Sequence, residues 1–89
     1  MILGRVSGEV VATIKHGFYV GHRLLMVDRL NPDGSAGKGY VVAIANVEAG
    51  VGDTVLVVDE GNSARSIVGD PAAPLRSVIV GVVDEATIG

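Results

Sequence analysis

The chain has 89 residues, of which 48% are hydrophobic, and it carries a formal net charge of −3 with a pI of about 5.1. Its length predicts a single domain over residues 1–89, which buries only about 60 to 65% of the surface exposed by the unfolded chain. Cys is absent, which excludes a disulfide framework and a thiolate metal site. The acidic balance, with seven scattered Lys and Arg residues, disfavours nucleic acid as a partner.

A mean hydropathy of +0.48 is high for a domain of this size. A small monomer needs a mostly polar surface, so some apolar side chains are expected to face other subunits. The start of the chain shows no basic region followed by a sustained apolar run, and no apolar stretch approaches the roughly 20 residues that span a bilayer. We therefore expect a soluble cytoplasmic oligomer with no membrane partner.

The first predicted element is a long strand from Ile2 to Ile14. Apolar and small residues fall on even positions and polar residues on most odd positions, which is the period of a strand with one buried face. Gly4 and Gly8 both fall on that buried face, where a missing side chain permits a sharp bend or the approach of another backbone. We expect this strand to be coiled.

Four further β-rich runs follow, each bounded by Gly, Asn, Asp or Pro. Asn31-Pro32-Asp33-Gly34 has the composition of a type I turn, so the second and third strands should form a hairpin. Gly50-Val51-Gly52-Asp53 predicts another tight turn. The runs are Arg23 to Leu30, Tyr40 to Ala45, Thr54 to Val58 and Ser77 to Val83.

One segment favours a short helix, from a cap at Asn62 or Ser63 to a stop at Gly69. Pro71 and Pro74 keep it short. About five strands, one short helix and almost no long loops predict an all-β protein with a small OB-like or Greek-key β-barrel.

Chemical motifs fail on inspection. Gly34 to Gly39 departs from a phosphate-binding loop, since Pro32 replaces the first Gly, Gly39 replaces the hydroxyl residue and no helix follows; a flexible hairpin tip is the alternative. His16 and His22 alone do not make a zinc site, although a carboxylate could add a third ligand. We predict no metal and no cofactor.

Catalysis is not predicted either. The adjacent carboxylates Asp59-Glu60 and Asp84-Glu85 would point to opposite faces of a strand, which is wrong for paired acid and base chemistry, and solvated strand ends explain them. Ser63 and Ser66 have no base nearby in sequence, although a spatial neighbour stays open. No set of catalytic residues can be assembled.

An OB-like barrel could bind single-stranded nucleic acid, but that needs several aromatic platforms along a basic groove. The aromatic residues are Phe18, Tyr19 and Tyr40. Two of them share one loop, where packing against the barrel or another subunit is the simpler interpretation.

Several segments, taken in order, resemble the pentameric microcompartment vertex proteins of the EutN/CcmL type. The resemblance covers nearly the whole chain. The segments are Met1 to Val6 with Gly8, Val10 to Thr13 with Lys15-His16, Gly21 with Leu24 to Val27, Ala49 to Val57, Asn62 to Arg65, and Ile79 to Asp84.

The resemblance implies a barrel protomer that joins four copies of itself in a cyclic homopentamer. Such a ring would cap a five-fold vertex of a microcompartment shell otherwise tiled by hexameric shell proteins. A head-to-tail contact closes into a ring when the rotation between neighbouring protomers is a whole fraction of a turn. Each protomer then buries two surfaces against its neighbours, which would account for the excess of apolar residues.

Residue roles follow from the same resemblance. Arg65, with its neighbours Ser63 and Ala64, is assigned to the subunit interface, and a solvated Arg65 stays open. Gly61, Asn62 and Ser63 are the pore candidates, because small residues permit close approach near a symmetry axis. The alternative to a structural shell protein is a small-ligand-binding oligomer with a pocket between subunits.

Overall fold

The computed structural model describes residues 1–11, 22–61 and 76–84, and these residues form five β-strands. Each strand overlaps a predicted one, because a β-rich run between turn residues is a local signal; β3 begins at Ala36, four residues before the predicted start. The first strand ends at Val10 rather than at Ile14, and residues 12–14 lie outside the described ranges. The strands are β1 Ile2–Val10, β2 Leu24–Leu30, β3 Ala36–Ala45, β4 Thr54–Asp59 and β5 Ser77–Val82.

The strands close into a barrel in the order β1-β2-β3-β5-β4, with β4 pairing back onto β1. All pairs are antiparallel except β3 with β5. This topology confirms the predicted small Greek-key or OB-like barrel. The helix predicted between Asn62 and Gly69 lies outside the described residues.

The strands of the barrel are strongly staggered. If the paired residues are followed from strand to strand around the barrel, a path that starts at the end of β1 arrives near the beginning of β1. Such a stagger accompanies the steep tilt that closes a sheet of few strands. The path starts at Val10 and passes through the paired residues Leu24, Ile44, Val78 and Val58. Val58 is the neighbour in sequence of Val57, which pairs with Ile2 of β1.

The core occupies the interior of the barrel. Side chains of a strand alternate between its two faces, so each strand supplies every second residue. All of the interior residues named below are less than 5% exposed, and they fill the barrel with side chains; Ile44 and Val78, at intervening positions, are buried as well. The interior residues are Val6, Leu25, Val27, Ala43, Ala49, Val55, Val57 and Ile79.

Both predicted turns form. In the β2–β3 turn the Gly34 amide donates to the Asn31 carbonyl at 2.8 Å, and in the β3–β4 connection the Asp53 amide donates to the Gly50 carbonyl at 3.0 Å. Gly52, the third residue of the second turn, has a φ of 95°, which only a residue without a β-carbon adopts at little cost. The hairpin of β2 and β3 is thereby confirmed.

The segment from Gly34 to Gly39 is only partly a hairpin tip, because β3 already begins at Ala36. The pairing of β2 with β3 shifts between Asp28 and Leu30, and Gly37 and Gly39 lie in this irregular stretch. A β-carbon on Gly37 would lie 3.0 Å from the Arg29 carbonyl oxygen. The glycines here serve a β-bulge, which local sequence alone did not distinguish from a flexible tip.

The two glycines predicted on the buried face of β1 differ. Gly4 is buried against β2, and a β-carbon there would overlap Val27 Cγ1 and lie 2.9 Å from the Asp28 carbonyl oxygen. Gly8 is only half-buried, with nothing within 4 Å of such a carbon, so of the two roles predicted for it, a bend or a close approach, only the close approach is excluded. A register shift between Val6 and Gly8 interrupts the alternation on which that prediction rested.

Candidate subunit-contact surfaces

The outer face of the barrel is unusually apolar on β2, β3, β4 and β5. Outward positions on these strands are expected to be polar in a barrel that meets only water. Here most of them carry large apolar side chains, and the polar exceptions are Asp28, Lys38 and Thr54. The outward apolar residues that keep some exposure are Leu24, Met26, Tyr40, Val42, Leu56 and Val58, whereas Ile44 and Val78 are buried within the protomer.

The most exposed part of this face lies on β3. Tyr40 is 61% exposed and Val42 is 42% exposed, and they are outward neighbours on the strand. Across the β2–β3 pair, Tyr40 lies opposite Asp28 and Val42 opposite Met26. We call Tyr40 and Val42 the β3 knob. An exposed aromatic side chain beside a branched aliphatic one is typical of a protein contact surface.

A second apolar surface is concave and lies where β1 begins. It is an open groove of about 440 Å³ lined by six apolar residues and bordered by Arg29. Leu3 pairs with Leu56 on β4, and Leu30 follows Arg29, the partner of Gly4, on β2. We call it the leucine groove, and its apolar residues are Met1, Ile2, Leu3, Leu30, Pro32 and Leu56.

A polar cluster centred on Asp59 closes the barrel at the end where β1 begins. Its Oδ1 accepts a hydrogen bond of 2.5 Å from Ser77 Oγ and lies 3.4 Å from Arg76 Nε, while its Oδ2 lies 3.8 Å from Arg29 Nη2. The Asp59 side chain is only 18% exposed. The prediction of a solvated strand end is therefore wrong for this carboxylate, which joins β2, β4 and β5.

Arg23 closes the other end. Its Nε lies 3.1 Å from Glu9 Oε1, and its Nη1 donates to the Ala49 carbonyl at 2.9 Å. Arg23 and Arg29 share the alternating positions of the buried Leu25 and Val27, one before them in the chain and one after. Their guanidinium groups therefore reach the two ends of the barrel, and the interior between them stays apolar. The candidate functional surfaces therefore lie outside the barrel.

Among the residues assigned to interface and pore from the sequence, the structure describes only Gly61, which is half-buried and follows Asp59-Glu60. Asn62, Ser63, Ala64 and Arg65 lie outside the described residues.

The β3 knob and the leucine groove were not predicted from the sequence, although the sequence contains a signal for them. Tyr40 to Ala45 and Thr54 to Val58 are nearly continuous apolar runs rather than alternating ones. Continuous runs indicate strands that are covered on both faces. In a barrel whose interior takes one face, the other must be covered from outside.

The described residues also bear on the rejected chemistries. Within residues 1–11, 22–61 and 76–84, no group of three His, Cys, Asp or Glu side chains is placed to hold a metal ion. Helices long and apolar enough to cross a membrane are likewise not found in that part of the chain. His16, Phe18, Tyr19, Ser66 and Glu85 lie outside it.

The fold and its surfaces define a class of protein, a small closed β-barrel whose outer face is suited to contact with other protein chains. The chain belongs to the EutN/CcmL family: the model described as "Ethanolamine utilisation protein EutN/carboxysome" matches residues 1–84. The resemblance deduced from the ordered sequence segments is thereby confirmed.

Named relatives match over nearly their whole length. The chain is 37% identical over 89 residues to the bacterial microcompartment shell vertex protein EutN of Escherichia coli K12, covering 100% of this chain and 93% of that one. It is 41% identical over 88 residues to the vertex protein PduN of Salmonella typhimurium, covering 94% and 96%. The structure of the pentameric microcompartment shell protein GrpN from Rhodospirillum rubrum superimposes with a TM-score of 0.85 at 34% identity, covering 100% of both chains.

Proposed function

We propose that this chain is a structural shell protein whose homopentamer caps the five-fold vertices of a bacterial microcompartment shell. The observation that carries the proposal is the match over the whole of both chains, at 34% identity, to a shell protein described as pentameric. Curated relatives at similar identity are named as shell vertex proteins. The protein would then reside in the shell of a microcompartment.

The apolar outer face gives this proposal a physical basis. A cyclic ring uses a heterologous contact, in which each protomer offers two different surfaces and closes the ring when the rotation is one fifth of a turn. The β3 knob and the leucine groove are two distinct apolar surfaces on one protomer. Burying them in subunit contacts would account for the high mean hydropathy of so short a chain.

The role proposed here is structural, without catalysis, a cofactor or a nucleic-acid or membrane partner. The relatives are named as shell components, and the barrel interior is occupied by its own core. Hexameric shell proteins, the partners implied by the family resemblance, would contact the rim of the pentamer. In this scheme residues 1–89 form one barrel protomer.

The interface assignment of Ser63, Ala64 and Arg65 and the pore assignment of Gly61, Asn62 and Ser63 remain proposals drawn from the family resemblance. An Arg65→Ala protein should form less stable rings, because a guanidinium that bridges two subunits is lost. Rings of unchanged stability would remove Arg65 from the interface. A bulky side chain at Asn62 should narrow the central opening in a structure of the ring, and an unchanged opening would remove Asn62 from the pore.

Native mass spectrometry of the purified protein at low micromolar concentration is the first test. We expect a dominant species of five chains, and reconstitution with hexameric shell proteins should then yield closed shells by electron microscopy. Shells assembled without this protein should lack density at their vertices. A stable monomer or a hexamer in solution would contradict the proposal.

A further inference from the structure

Among the described residues, the outer surface of the barrel carries an exposed apolar pair, the β3 knob, and an open apolar groove, and their chemistry matches. Tyr40 is 61% exposed, and large aromatic side chains are among the residues that most often anchor protein contacts by filling a pocket. The leucine groove provides about 440 Å³ of open volume with an apolar lining. An aromatic ring on a short stem gains most from burial in such a groove.

The two surfaces can be used at the same time. Tyr40 pairs with the exposed Asp28, and Asp28 pairs on its other side with the exposed Arg5 of β1. These polar side chains lie between the β3 knob and the leucine groove, which is lined from β1, β4, the end of β2 and the turn that follows it. One protomer can therefore present its knob to one neighbour and its groove to another, as a heterologous ring requires.

Arg29 adds a polar complement at the border of the groove. Its guanidinium has five N–H donors, and its described partner is Asp59 Oδ2 at 3.8 Å, an ion-pair distance longer than a hydrogen bond. Donors therefore remain for the phenol oxygen of a tyrosine inserted beside it. Tyr and Arg are also the pair of residue types enriched at the centres of protein interfaces.

We propose that the occupant of the leucine groove is the β3 knob of a second copy of this chain, so that knob-in-groove contacts hold neighbouring protomers of the ring together. This inference rests on the proposed pentamer and identifies its contact residues. Tyr40 supplies the anchor, Val42 the adjacent apolar edge, and Leu3 and Leu56 the floor of the receiving groove.

The test uses two complementary variants and a matched control. Tyr40→Asp removes the knob and leaves the groove intact, whereas Leu56→Glu spoils the groove and leaves the knob intact. Val51→Asp adds the same charge at an apolar residue that is 68% exposed and belongs to neither surface. Loss of a contact anchor of this type weakens one junction by about 30-fold or more, so each of the two variants should be monomeric at low micromolar concentration, while Val51→Asp should assemble like the wild type.

Mixing the two variants gives the decisive result. The intact knob of Leu56→Glu fits the intact groove of Tyr40→Asp, but the complex offers no second working pair, so an equimolar mixture should form a one-to-one dimer and stop there. Native mass spectrometry resolves the two chains by mass. Formation of the dimer also shows that both variants are folded, and Leu3→Glu provides a second groove variant that should behave like Leu56→Glu.

Three outcomes would overturn the inference. They are pentamers formed by Tyr40→Asp, a mixture that stays monomeric although the wild type is a pentamer, or loss of assembly in Val51→Asp alone. The second outcome would assign the groove to another occupant, such as a hexameric shell protein. A wild-type protein that is not pentameric contradicts the proposed function instead, and the dimer test remains valid in that case.

Tyr40→Phe separates the apolar and polar parts of the contact. The phenyl ring of this variant fills the groove equally well but cannot engage Arg29, so assembly should persist with a junction weakened by less than about tenfold, the effect of one hydrogen bond. Complete loss of assembly in Tyr40→Phe would contradict an anchor that acts mainly through apolar burial.

Discussion

Gly4 on β1 and Val27 on β2 are packed so closely inside the barrel that a β-carbon on Gly4 would overlap Val27 Cγ1. The Asp28 carbonyl oxygen lies on the same side, at 2.9 Å from the position of that carbon. Neither the backbone of β2 nor the buried Val27 can move away cheaply in a close-packed core. The absence of a side chain at Gly4 is thus a condition for pairing β1 with β2.

Gly4→Ala should lower the free energy of unfolding by about 1 to 3 kcal/mol, the usual cost of overpacking a core. Gly8→Ala on the same strand is the matched control, because nothing lies within 4 Å of the added carbon; it should change stability by less than about 0.5 kcal/mol. Denaturant unfolding of the two variants at one protein concentration measures both values. Equal effects of the two substitutions would contradict the close approach at Gly4.

Removing the carboxylate of Asp59 should open the polar cluster at one barrel end. In Asp59→Ala the buried Ser77 hydroxyl loses its acceptor and two arginines lose their counter-charge. We expect a loss of about 1 to 3 kcal/mol in the free energy of unfolding. Asp59→Asn keeps an acceptor for Ser77 and should cost less, and the exposed Asp84→Asn should cost almost nothing. A neutral Asp59→Ala would show that the cluster does not stabilise the barrel.

The β2–β3 turn should show a local pH response. The hydroxyl and the amide of Ser35 both donate to Asp33 Oδ1, at 2.6 and 2.9 Å, and these bonds hold the pKa of Asp33 below its ordinary value of 3.8. A carboxyl group with a lowered folded-state pKa stabilises the fold above its unfolded pKa, and the contribution disappears as the pH falls through the folded-state pKa. Stability supplied by this turn is therefore complete at neutral pH and is lost only in acid.

Ser35→Ala should raise the pKa of Asp33 part of the way towards its ordinary value, because the hydroxyl bond is lost while the bond from the backbone amide remains. Carboxyl chemical shifts followed through an NMR pH titration measure the change. Ser7→Ala is the control, since its hydroxyl lies near Met26 and Asp28 instead. An Asp33 titration that is identical in the wild type and in Ser35→Ala would refute the assigned cause.

Thermal unfolding should depend on protein concentration if the ring supports the fold. Association stabilises the folded state by mass action, so the Tm of the wild type should rise with each tenfold increase in concentration. Tyr40→Asp, which removes the proposed knob, should unfold at a Tm that is lower and independent of concentration. Differential scanning fluorimetry over a hundredfold range of concentration distinguishes the cases, and a wild-type Tm that does not move would argue against a ring that stabilises its subunits.

The amino-acid sequence by itself determined the five strands, the two tight turns and the need for an apolar partner. These follow from local patterns: β-rich runs, turn residues such as those of Asn31 to Gly34, and an excess of apolar residues in a chain too short to bury them. The ordered resemblance to the EutN/CcmL family likewise depends only on residues and their spacing.

Tertiary structure decided which residues meet. Strand alternation predicted equal roles for Gly4 and Gly8, but the register shift in β1 leaves only Gly4 against its neighbour. Asp59 was predicted to be a solvated strand end, but the staggered closure of the barrel places Arg29, Arg76 and Ser77 beside its carboxylate. The knob and the groove arise in the same way, from residues that are distant in sequence. The local pattern of a strand determines which of its residues share a face. The stagger and closure of the barrel determine which residues of other strands they contact, and both depend on long-range pairing that no local pattern encodes.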